Sequence, residues 1–324
     1  MGYKISVIIP MYNSQGTIGK CLKSLYNSTY KDFECVVVDD CSTDNSVRIA
    51  KKFPCKIIKL KKNSGPAKAR NVGAEKAKGD ILFFTDSDVL LNDDALEKTA
   101  ARFKKNPHLV SIVGIYSIVP ANDERFAWFA SLQKYSNWMK TKKLTKIPFR
   151  TEIGAVRKSV FEEVGEFNTK YKKADTEDYE FGYRMLKKYD VLLDKTIQGK
   201  HHFPEFKTIA RNYFKRSSMW FKLFLKRKKF DDVTTTPSMG LSVISSFLFL
   251  ISALVSFFYP KLIFIAILFL LLFLKEHLLL YKLALMKKGF FFLVYSAVIS
   301  YVLSLIILAG VLKSVFSLFV YNKS

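Results

Sequence analysis

Short apolar runs alternate with helix-like stretches along the first 90 residues of the chain. β-branched and aromatic residues are concentrated in four runs that predict strands, at 5–9, 33–38, 55–59 and 81–84. Helical patterns fill the three intervals, at 17–25, 46–53 and 67–77. The strands recur about every 25 residues, the length of a βαβ unit, and continuous apolar runs are typical of buried parallel strands. The pattern therefore predicts an α/β domain built on a parallel sheet.

Two long uncharged stretches distinguish the last part of the chain. Residues 238–259 and 289–312 contain 22 and 24 residues without a charge. At about 1.5 Å per helical residue, each can cross a hydrocarbon core of about 30 Å. Between them, residues 262–274 are apolar, but a polar trio at 275–277 interrupts the run before it continues to 286. We expect three membrane helices, at about 238–259, 261–282 and 289–312, with the middle one either spanning or lying in the interface.

Basic residues precede the first apolar stretch. Residues 200–230 contain ten Lys and Arg against one acid, Glu205, in a chain whose net charge is +24. Arg211, Lys215, Lys222, Lys226 and Lys229 fall on one side of a helical wheel, a pattern that favours an anionic membrane surface over a nucleic acid. The positive-inside rule then predicts a multi-pass protein of the cell membrane with its globular part in the cytoplasm. The N-terminal residues read as a strand, so no signal peptide is expected.

Polar side chains follow three of the predicted strands. Tyr12 and Asn13 come after the first, Asp40 after the second, and Asp86 and Asp88 after the fourth. In parallel sheets, ligands bind at the carboxyl ends of the strands, so this edge is the candidate site. The chain has no GxGxxG or GxxxxGK[ST] string, which argues against a dinucleotide fold and a P-loop.

Two acidic motifs each allow two interpretations. The carboxylates of Asp86 and Asp88 are hard oxygen ligands that suit Mg²⁺ or Mn²⁺, but DxD at a strand end also forms solvated turns and helix caps. Asp178 opens a helical pattern that runs to Tyr189, where a carboxylate acts either as a general base or as a partner of the helix dipole. The four cysteines form no CxxC pair, which fits a reducing compartment.

Taken together, five sequence blocks resemble the family 2 glycosyltransferases. The blocks are SVIIPMYNSQGTIGKCLKSL at 6–25, VVVDDCSTDNS at 36–46, GPAKARNVGAEKAKGDILFFTDSD at 65–88, RKSVFEEVGEFN at 157–168 and TEDYEFGYR at 176–184. The resemblance covers about residues 4–215 and implies a GT-A fold, the Rossmann-like fold of nucleotide-diphospho-sugar transferases. Glu166 stands where the family often has a second glycine, and no QxxRW string of processive synthases occurs, so transfer of a single sugar is expected.

The resemblance also implies roles in donor binding. Pro10, Tyr12 and Asn13 would line the base and ribose pocket, with Tyr12 near the face of the base. Asp40 would hydrogen-bond to the base, and Arg70 would lie near the nucleotide or the diphosphate.

Further roles concern the metal and the chemistry. By the same resemblance, Asp86 would contact the ribose or the sugar, and Asp88 would ligate Mn²⁺ or Mg²⁺. A histidine of the His201–His202 pair, taken here as His201, would complete the metal shell, although a plain loop histidine pair is also compatible with the sequence. Asp178 would be the base of an inverting displacement.

The sequence thus predicts a membrane-anchored, metal-dependent, inverting glycosyltransferase. It would move one sugar from a UDP- or GDP-sugar to a lipid-linked acceptor at the cytoplasmic face, in the synthesis of cell-surface polysaccharide or glycolipid. Membrane lipids are the other expected partners. Two alternatives remain, a polyprenyl-phosphate glycosyltransferase and a non-catalytic, nucleotide-binding membrane scaffold. The expected divisions are a GT-A domain at 1–204 (halves 1–113 and 114–204), basic amphipathic interface helices at 205–236 and a transmembrane region at 237–324.

Overall fold

The structure, a computed structural model, describes residues 3–141, 145–170, 176–227 and 236–321. The chain forms two compact units. The sheet unit comprises Met1–Asp123 and Trp138–Phe203, and the helical unit comprises Glu124–Asn137 and Pro204–Ser324. Every residue proposed above for donor binding, metal binding or catalysis belongs to the sheet unit.

An eight-stranded mixed sheet forms the centre of the sheet unit. Its strands are β1 (Ile5–Met11), β2 (Phe33–Asp39), β3 (Lys56–Lys59), β4 (Ile81–Thr85), β5 (Val89–Leu91), β6 (Ser111–Tyr116), β7 (Ile153–Arg157) and β8 (Leu192–His201). They are arranged in the order β3-β2-β1-β4-β7-β6-β8-β5. The first four strands in this order, β3, β2, β1 and β4, are parallel to one another, as predicted. β7 runs antiparallel to both β4 and β6. The expected parallel pairing therefore holds for β3, β2, β1 and β4 and recurs between β6 and β8, whereas β7 and β5 run antiparallel to their neighbours.

Helices connect the strands and form the rest of the chain. They are α1 (Ile18–Tyr26), α2 (Ser46–Ala50), α3 (Pro66–Lys76), α4 (Ala95–Lys105), α5 (Arg125–Lys140), α6 (Lys158–Val164), α7 (Glu177–Met185), α8 (Phe206–Arg227), α9 (Pro237–Val255), α10 (Ile263–Glu276), α11 (Leu278–Lys288) and α12 (Phe290–Tyr321). The helix expected at 46–53 ends early, at Ala50, because Pro54 disfavours a helical conformation at Phe53.

Five phenylalanine rings form an aromatic cluster next to the start of α7. The rings of Phe84, Phe149, Phe161, Phe167 and Phe181 pack with centroid separations between 4.7 and 6.1 Å. Each ring is almost fully buried, and burying a side chain of this size contributes about 1.5–3 kcal/mol. The cluster therefore anchors β4, α6 and α7 to one another and fixes where the first residues of α7 lie.

The apolar helices of the helical unit correspond to the predicted tail, with one difference. Within the described residues, Pro237–Val255 and Phe290–Ser317 are long and apolar enough to cross a membrane. The expected middle helix at 261–282 is broken, because α10 and α11 meet at His277 with a bend of 67°. The break falls in the polar trio Lys275-Glu276-His277, where the side chain of Glu276 accepts a hydrogen bond from Ser238. The pair makes a third span only if both arms are counted as one.

The described part of the basic segment before the tail forms one helix. It is α8, Phe206–Arg227. The expected interface helices extend to 236, and residues 228–235 of that range lie outside the described residues. Lys229 lies outside the described residues. α8 packs on α12, where a Cβ atom added to Gly310 would collide with Ser217 and with the backbone of Phe214. Small residues let the two helices approach closely, so the basic helix is attached to an apolar one.

Candidate active site

The loops after β1 and β2 are tied to each other by side-chain hydrogen bonds. The side-chain carbonyl of Asn13 accepts from the backbone N–H of Thr43 at 2.8 Å, and the N–H of Asn13 donates to the hydroxyl of Ser42 at 3.0 Å. Asn13 adopts a φ of 46°, a left-handed conformation that asparagine tolerates better than most residues. The neighbouring Tyr12 ring is 49% exposed, and Pro10 pairs with Val38 across the strands. The three residues predicted for the base pocket therefore lie together at the sheet edge.

Asp40 is buried and holds the start of α3. Its two carboxylate oxygens accept from the backbone N–H groups of Ser64 at 2.7 Å and Gly65 at 2.8 Å. Gly65 has a φ of 89°, which residues other than glycine rarely adopt. A carboxylate has about four lone-pair positions, so each oxygen retains one for a ligand. The predicted contact with a base and this loop-holding role are compatible.

Asp44 binds backbone N–H groups at the start of α2 and in the loop after β1. Its carboxylate accepts from the N–H of Ser46, the first residue of α2, at 2.9 Å, and from the N–H of Gln15 at 3.0 Å. Desolvation acts to raise the pKa of Asp44, but a hydrogen bond from the Ser46 hydroxyl and the two backbone hydrogen bonds outweigh it, so the pKa lies below its usual value. Asp44 is thus a structural acid.

Arg70 joins the acids after β4 to the acids at the start of α7. Its guanidinium donates to Asp86 and to Glu177, both at 2.8 Å, and the residue is only 4% exposed. Burial disfavours the charged form of Arg70, but the two carboxylates outweigh it and raise its pKa. Arg70 and Glu177 are 107 positions apart in sequence. One side chain therefore connects the predicted donor and acceptor regions.

Asp88 and His201 face each other across a pair of short strands. Because Val89 pairs with His201 in the sheet, the imidazole Nε2 lies 3.4 Å from the Asp88 carboxylate. The imidazole stacks on the ring of Tyr116, with 4.6 Å between centroids. Desolvation acts to raise the pKa of Asp88, but the neighbouring His201 outweighs it, so the pKa is lowered. The structure thus brings the imidazole of His201 to the Asp88 carboxylate, whereas the backbone N–H of His202 donates to the Asp88 carbonyl at 2.9 Å.

Two buried atoms of this pair lack a hydrogen-bond partner. They are Oδ1 of Asp88 and Nδ1 of His201. An unpartnered carboxylate oxygen and an unpartnered imidazole nitrogen on two neighbouring residues fit ligands of a divalent cation such as Mn²⁺ or Mg²⁺. Within the described residues, no group of three or more His, Cys, Asp and Glu side chains is suited to a metal. A cation here would therefore need further ligands from a bound diphosphate and from water, as Mg²⁺ commonly does.

Asp178 lies in the first turn of α7, 9% exposed. One carboxylate oxygen accepts from the N–H of Tyr179 at 2.8 Å and the other from Nε of Arg150 at 3.1 Å. Desolvation raises the pKa of Asp178, Arg150 lowers it and Glu177 raises it again, and the net pKa lies above the usual value. A buried carboxylate with a raised pKa suits proton transfer, and its bond to Tyr179 also gives it a role at the helix start.

Arg150 and Glu152 were missed by the sequence analysis. Arg150 contacts three side chains at once, those of Glu152, Asp178 and Tyr179. The only local signal is an Arg-Thr-Glu tripeptide immediately before β7, and such tripeptides are common at strand ends. Since Arg150 and Asp178 are 28 positions apart, no short-range pattern could have joined them.

The sequence of the chain is similar to those of known glycosyltransferases. Residues 6–165 match the family model "Glycosyl transferase family 2". An uncharacterized glycosyltransferase of Haemophilus influenzae is 29% identical over 237 residues, which are 69% of this chain and 89% of that protein. The poly(ribitol-phosphate) β-N-acetylglucosaminyltransferase TarS of Staphylococcus aureus is 43% identical over 105 residues. Those residues make up 30% of this chain but only 18% of TarS.

Solved structures support the fold. The mannosyltransferase PcManGT of Pyrobaculum calidifontis, solved with GDP-Man and Mn²⁺, has a TM-score of 0.56 at 19% identity, over 98% of this chain and 88% of that one. TarS residues 1–349 with UDP-GlcNAc give a TM-score of 0.51 at 22% identity, over 68% and 66% of the two chains. With the mixed sheet and the site described above, these matches show that the chain carries a family 2 glycosyltransferase domain of the GT-A fold and is a glycosyltransferase.

Proposed function

We propose that the protein transfers one sugar, with inversion, from a nucleoside-diphosphate sugar to a lipid-linked acceptor at the cytoplasmic face of a membrane. The observation that carries this proposal is the bridge through Arg70, which links Asp86 on one side to Glu177 on the other at 2.8 Å each. The bridge connects Asp86, the first acid of the DxD motif, to Glu177, the residue that precedes Asp178. Donor and acceptor chemistry can then take place in one small region of the sheet unit.

The donor would lie along the loops after β1 and β2. Tyr12 offers an exposed ring on which a base can stack, and Asp40 offers a free lone pair on each oxygen for an N–H of the base. The solved neighbours hold UDP-GlcNAc and GDP-Man, which supports a UDP- or GDP-sugar as donor. Arg70, already bound to two acids, would act on the donor mainly by fixing Asp86.

Asp88 and His201 would hold Mn²⁺ or Mg²⁺, with the donor diphosphate supplying further ligands. Such an ion would neutralise charge on the nucleoside-diphosphate leaving group. The support from this chain is the pair of unpartnered buried atoms, Oδ1 of Asp88 and Nδ1 of His201.

Asp178 would act as the general base. In one displacement, an acceptor hydroxyl forms a bond to the anomeric carbon, the bond from that carbon to the diphosphate breaks, and the hydroxyl proton passes to Asp178. Burial brings the pKa of this carboxyl above its usual value, closer to the pH at which a base works best. Because attack and departure occur on opposite faces of the sugar, the configuration inverts.

The helical unit supports a membrane location. α9 and α12 are long enough to span, and α8 exposes Lys207, Arg211 and Lys215 at intervals of one helical turn. Each basic side chain near an anionic membrane contributes about 1 kcal/mol of binding. TarS is named for a transfer to poly(ribitol-phosphate), which supports a role in a cell-surface polymer or glycolipid. A lipid-linked acceptor on the cytoplasmic side is the form of the proposal that fits these features.

The first experiment uses the full chain in detergent, with UDP-GlcNAc and GDP-mannose as donors. We expect one of the two to raise the melting temperature only when Mn²⁺ is present. With that donor radiolabelled, we expect label in the solvent-extractable lipid fraction of the source membranes. Label found only in water-soluble products would contradict a lipid-linked acceptor. Transfer directly onto polyprenyl phosphate, unaffected by Asp178→Asn, would favour the alternative polyprenyl-phosphate reaction.

A further inference from the structure

One arginine that no motif identified lies against the proposed base. Arg150 is 13% exposed at its side chain and extends its guanidinium to Asp178, to Glu152 and to the hydroxyl of Tyr179. We propose that Arg150 is a positioning residue for the transfer reaction: it orients the carboxylate of Asp178 and keeps it ionised. Glu152, bound to the same guanidinium, weakens this effect of Arg150. This inference rests on the proposed role of Asp178 as the base.

The geometry fixes the orientation of the carboxyl group. One oxygen of Asp178 is bound to the N–H of Tyr179 at 2.8 Å, and the other is bound to Nε of Arg150 at 3.1 Å. Two contacts on different oxygens prevent the group from rotating. Each oxygen keeps lone-pair capacity, so the acceptor hydroxyl can approach a carboxylate whose direction is already set.

The backbone around Arg150 is held as firmly as the side chain. A Cβ atom added to Gly182 would collide with the backbone of Phe149, and one added to Gly154 would collide with the carbonyl of Arg150. Gly182 lies one turn after Asp178 in α7, so the helix carrying the base packs directly on the segment carrying the arginine. Arg150 is therefore part of a rigid arrangement and differs from an exposed ion pair, which contributes little.

The charges around Asp178 decide how easily it loses its proton. Among the described residues, Arg150 and Arg70 are the cations that face it, Glu177 is the neighbouring anion, and Tyr179 adds a phenol. Burial favours the protonated acid, which cannot accept a proton, and Arg150 is the cation in contact with it. Glu152 is bound to the same guanidinium at 2.5 Å and weakens its effect. Removing Arg150 should thus make the base harder to ionise, and removing the charge of Glu152 should make it easier.

Three variants of the full chain test this account through the pH dependence of kcat/KM for sugar transfer. Activity rises with pH as the base loses its proton, so the midpoint of the acid limb follows the pKa of Asp178. We expect Arg150→Gln to move the midpoint up by about 1 pH unit or more, the size of effect of an opposite charge in contact. Arg150→Lys keeps a positive charge, so its midpoint should rise less than that of Arg150→Gln. Glu152→Gln should move the midpoint to lower pH.

A control variant accompanies these substitutions, and Glu152→Gln guards against misfolding of Arg150→Gln. Arg102→Gln breaks another arginine–aspartate pair, with Asp194 at 2.6 Å, and should leave the acid limb unchanged. Unshifted acid limbs in both Arg150→Gln and Glu152→Gln would overturn the inference, and so would shifts of the same sign. Glu152→Gln is isosteric, so it tests the inference even if Arg150→Gln fails to fold. If the wild type transfers no sugar from either donor, or if Asp178→Asn is fully active, the proposed function fails instead.

Discussion

Two groups of acids in the sheet unit are held in different ways. Asp40 and Asp44, on the side of the first two strands, are bound mainly by backbone N–H groups. Asp86, Glu177 and Asp178, around the start of α7, are bound by the side chains of two arginines. The first group fixes loops that already have a defined shape. The second group depends on single side chains that one substitution can remove.

Whether an acid is held by backbone N–H groups or by arginine side chains is reflected in its pKa, and so in its suitability for proton transfer. Hydrogen bonds from the Ser46 hydroxyl and from backbone N–H groups hold the pKa of Asp44 below its usual value, so this acid stays ionised and structural. Burial raises the pKa of Asp86 and of Asp178 despite their arginines. Acids whose pKa values are shifted strongly from the usual value by burial and by neighbouring charges are concentrated at functional sites.

The largest expected effect comes from breaking the metal pair. Asp88→Ala removes the only carboxylate that contacts His201 among the described residues. An ion worth several kcal/mol of charge stabilisation is then lost, and we expect kcat to fall by about 10³-fold or more, since about 1.4 kcal/mol is tenfold. Turnover is measured as nucleoside-diphosphate release over a range of Mn²⁺ concentrations. The exposed Asp93 is the control, and Asp93→Ala should retain activity. Equal activity in Asp88→Ala and wild type would contradict the metal assignment.

Removing the arginine bridge should cost the most stability. Arg70→Met leaves Asp86 and Glu177 without their cation, and breaking a buried pair typically costs about 3–5 kcal/mol. We expect a clear fall in the melting temperature, together with loss of transfer, in thermal unfolding of the full chain in detergent. A partial recovery in Arg70→Met combined with Glu177→Gln would confirm that the unpaired charge is the cause. An unchanged melting temperature in Arg70→Met alone would contradict the bridge.

A smaller effect is expected on the backbone-held side. Asp40→Asn keeps the shape but turns an N–H₂ group towards one backbone N–H, so one hydrogen bond of the Ser64–Gly65 turn is lost. We expect a loss of about 1–3 kcal/mol in the free energy of unfolding, less than for Arg70→Met. Donor affinity should weaken as well, which is measured by titrating the thermal shift with UDP-GlcNAc and GDP-mannose. A larger loss in Asp40→Asn than in Arg70→Met would reverse the comparison.

Local patterns predicted the first half of the fold well. Strands β1 to β4 and helices α1 and α3 lie where apolar runs and helical spacing indicated, because their signals are carried by neighbouring residues. The remaining strands, β5 to β8, were not predicted. β7 lies between β4 and β6 although more than 60 residues separate it from β4 in sequence. Such pairing depends on the whole sheet and leaves no periodic signal within the strand.

In the candidate site, too, residues within a sequence motif were predicted, and residues whose contacts come from distant parts of the chain were not. The resemblance to a family indicated Asp40, Asp88 and Asp178, and the structure brings His201 to Asp88 through the register of two strands. Arg150 could not be identified, because its contacts come from distant residues and an isolated arginine has no motif. The bend at His277 was unexpected for a similar reason. The polar trio was visible in the sequence, but its effect depends on a partner helix.

The most direct test of the account asks whether Asp178 acts in chemistry and not in binding. Asp178→Asn and the wild type are compared for Mn²⁺-dependent thermal shift with the donor and for sugar transfer to extracted lipid. We expect the same shift in both, because Asp178 is held by Arg150 and Tyr179 and does not belong to the donor loops. Transfer should fall by about 10²–10⁴-fold, the usual contribution of a general base. Full transfer by Asp178→Asn would contradict the assignment of the base and, with it, the proposed inverting reaction.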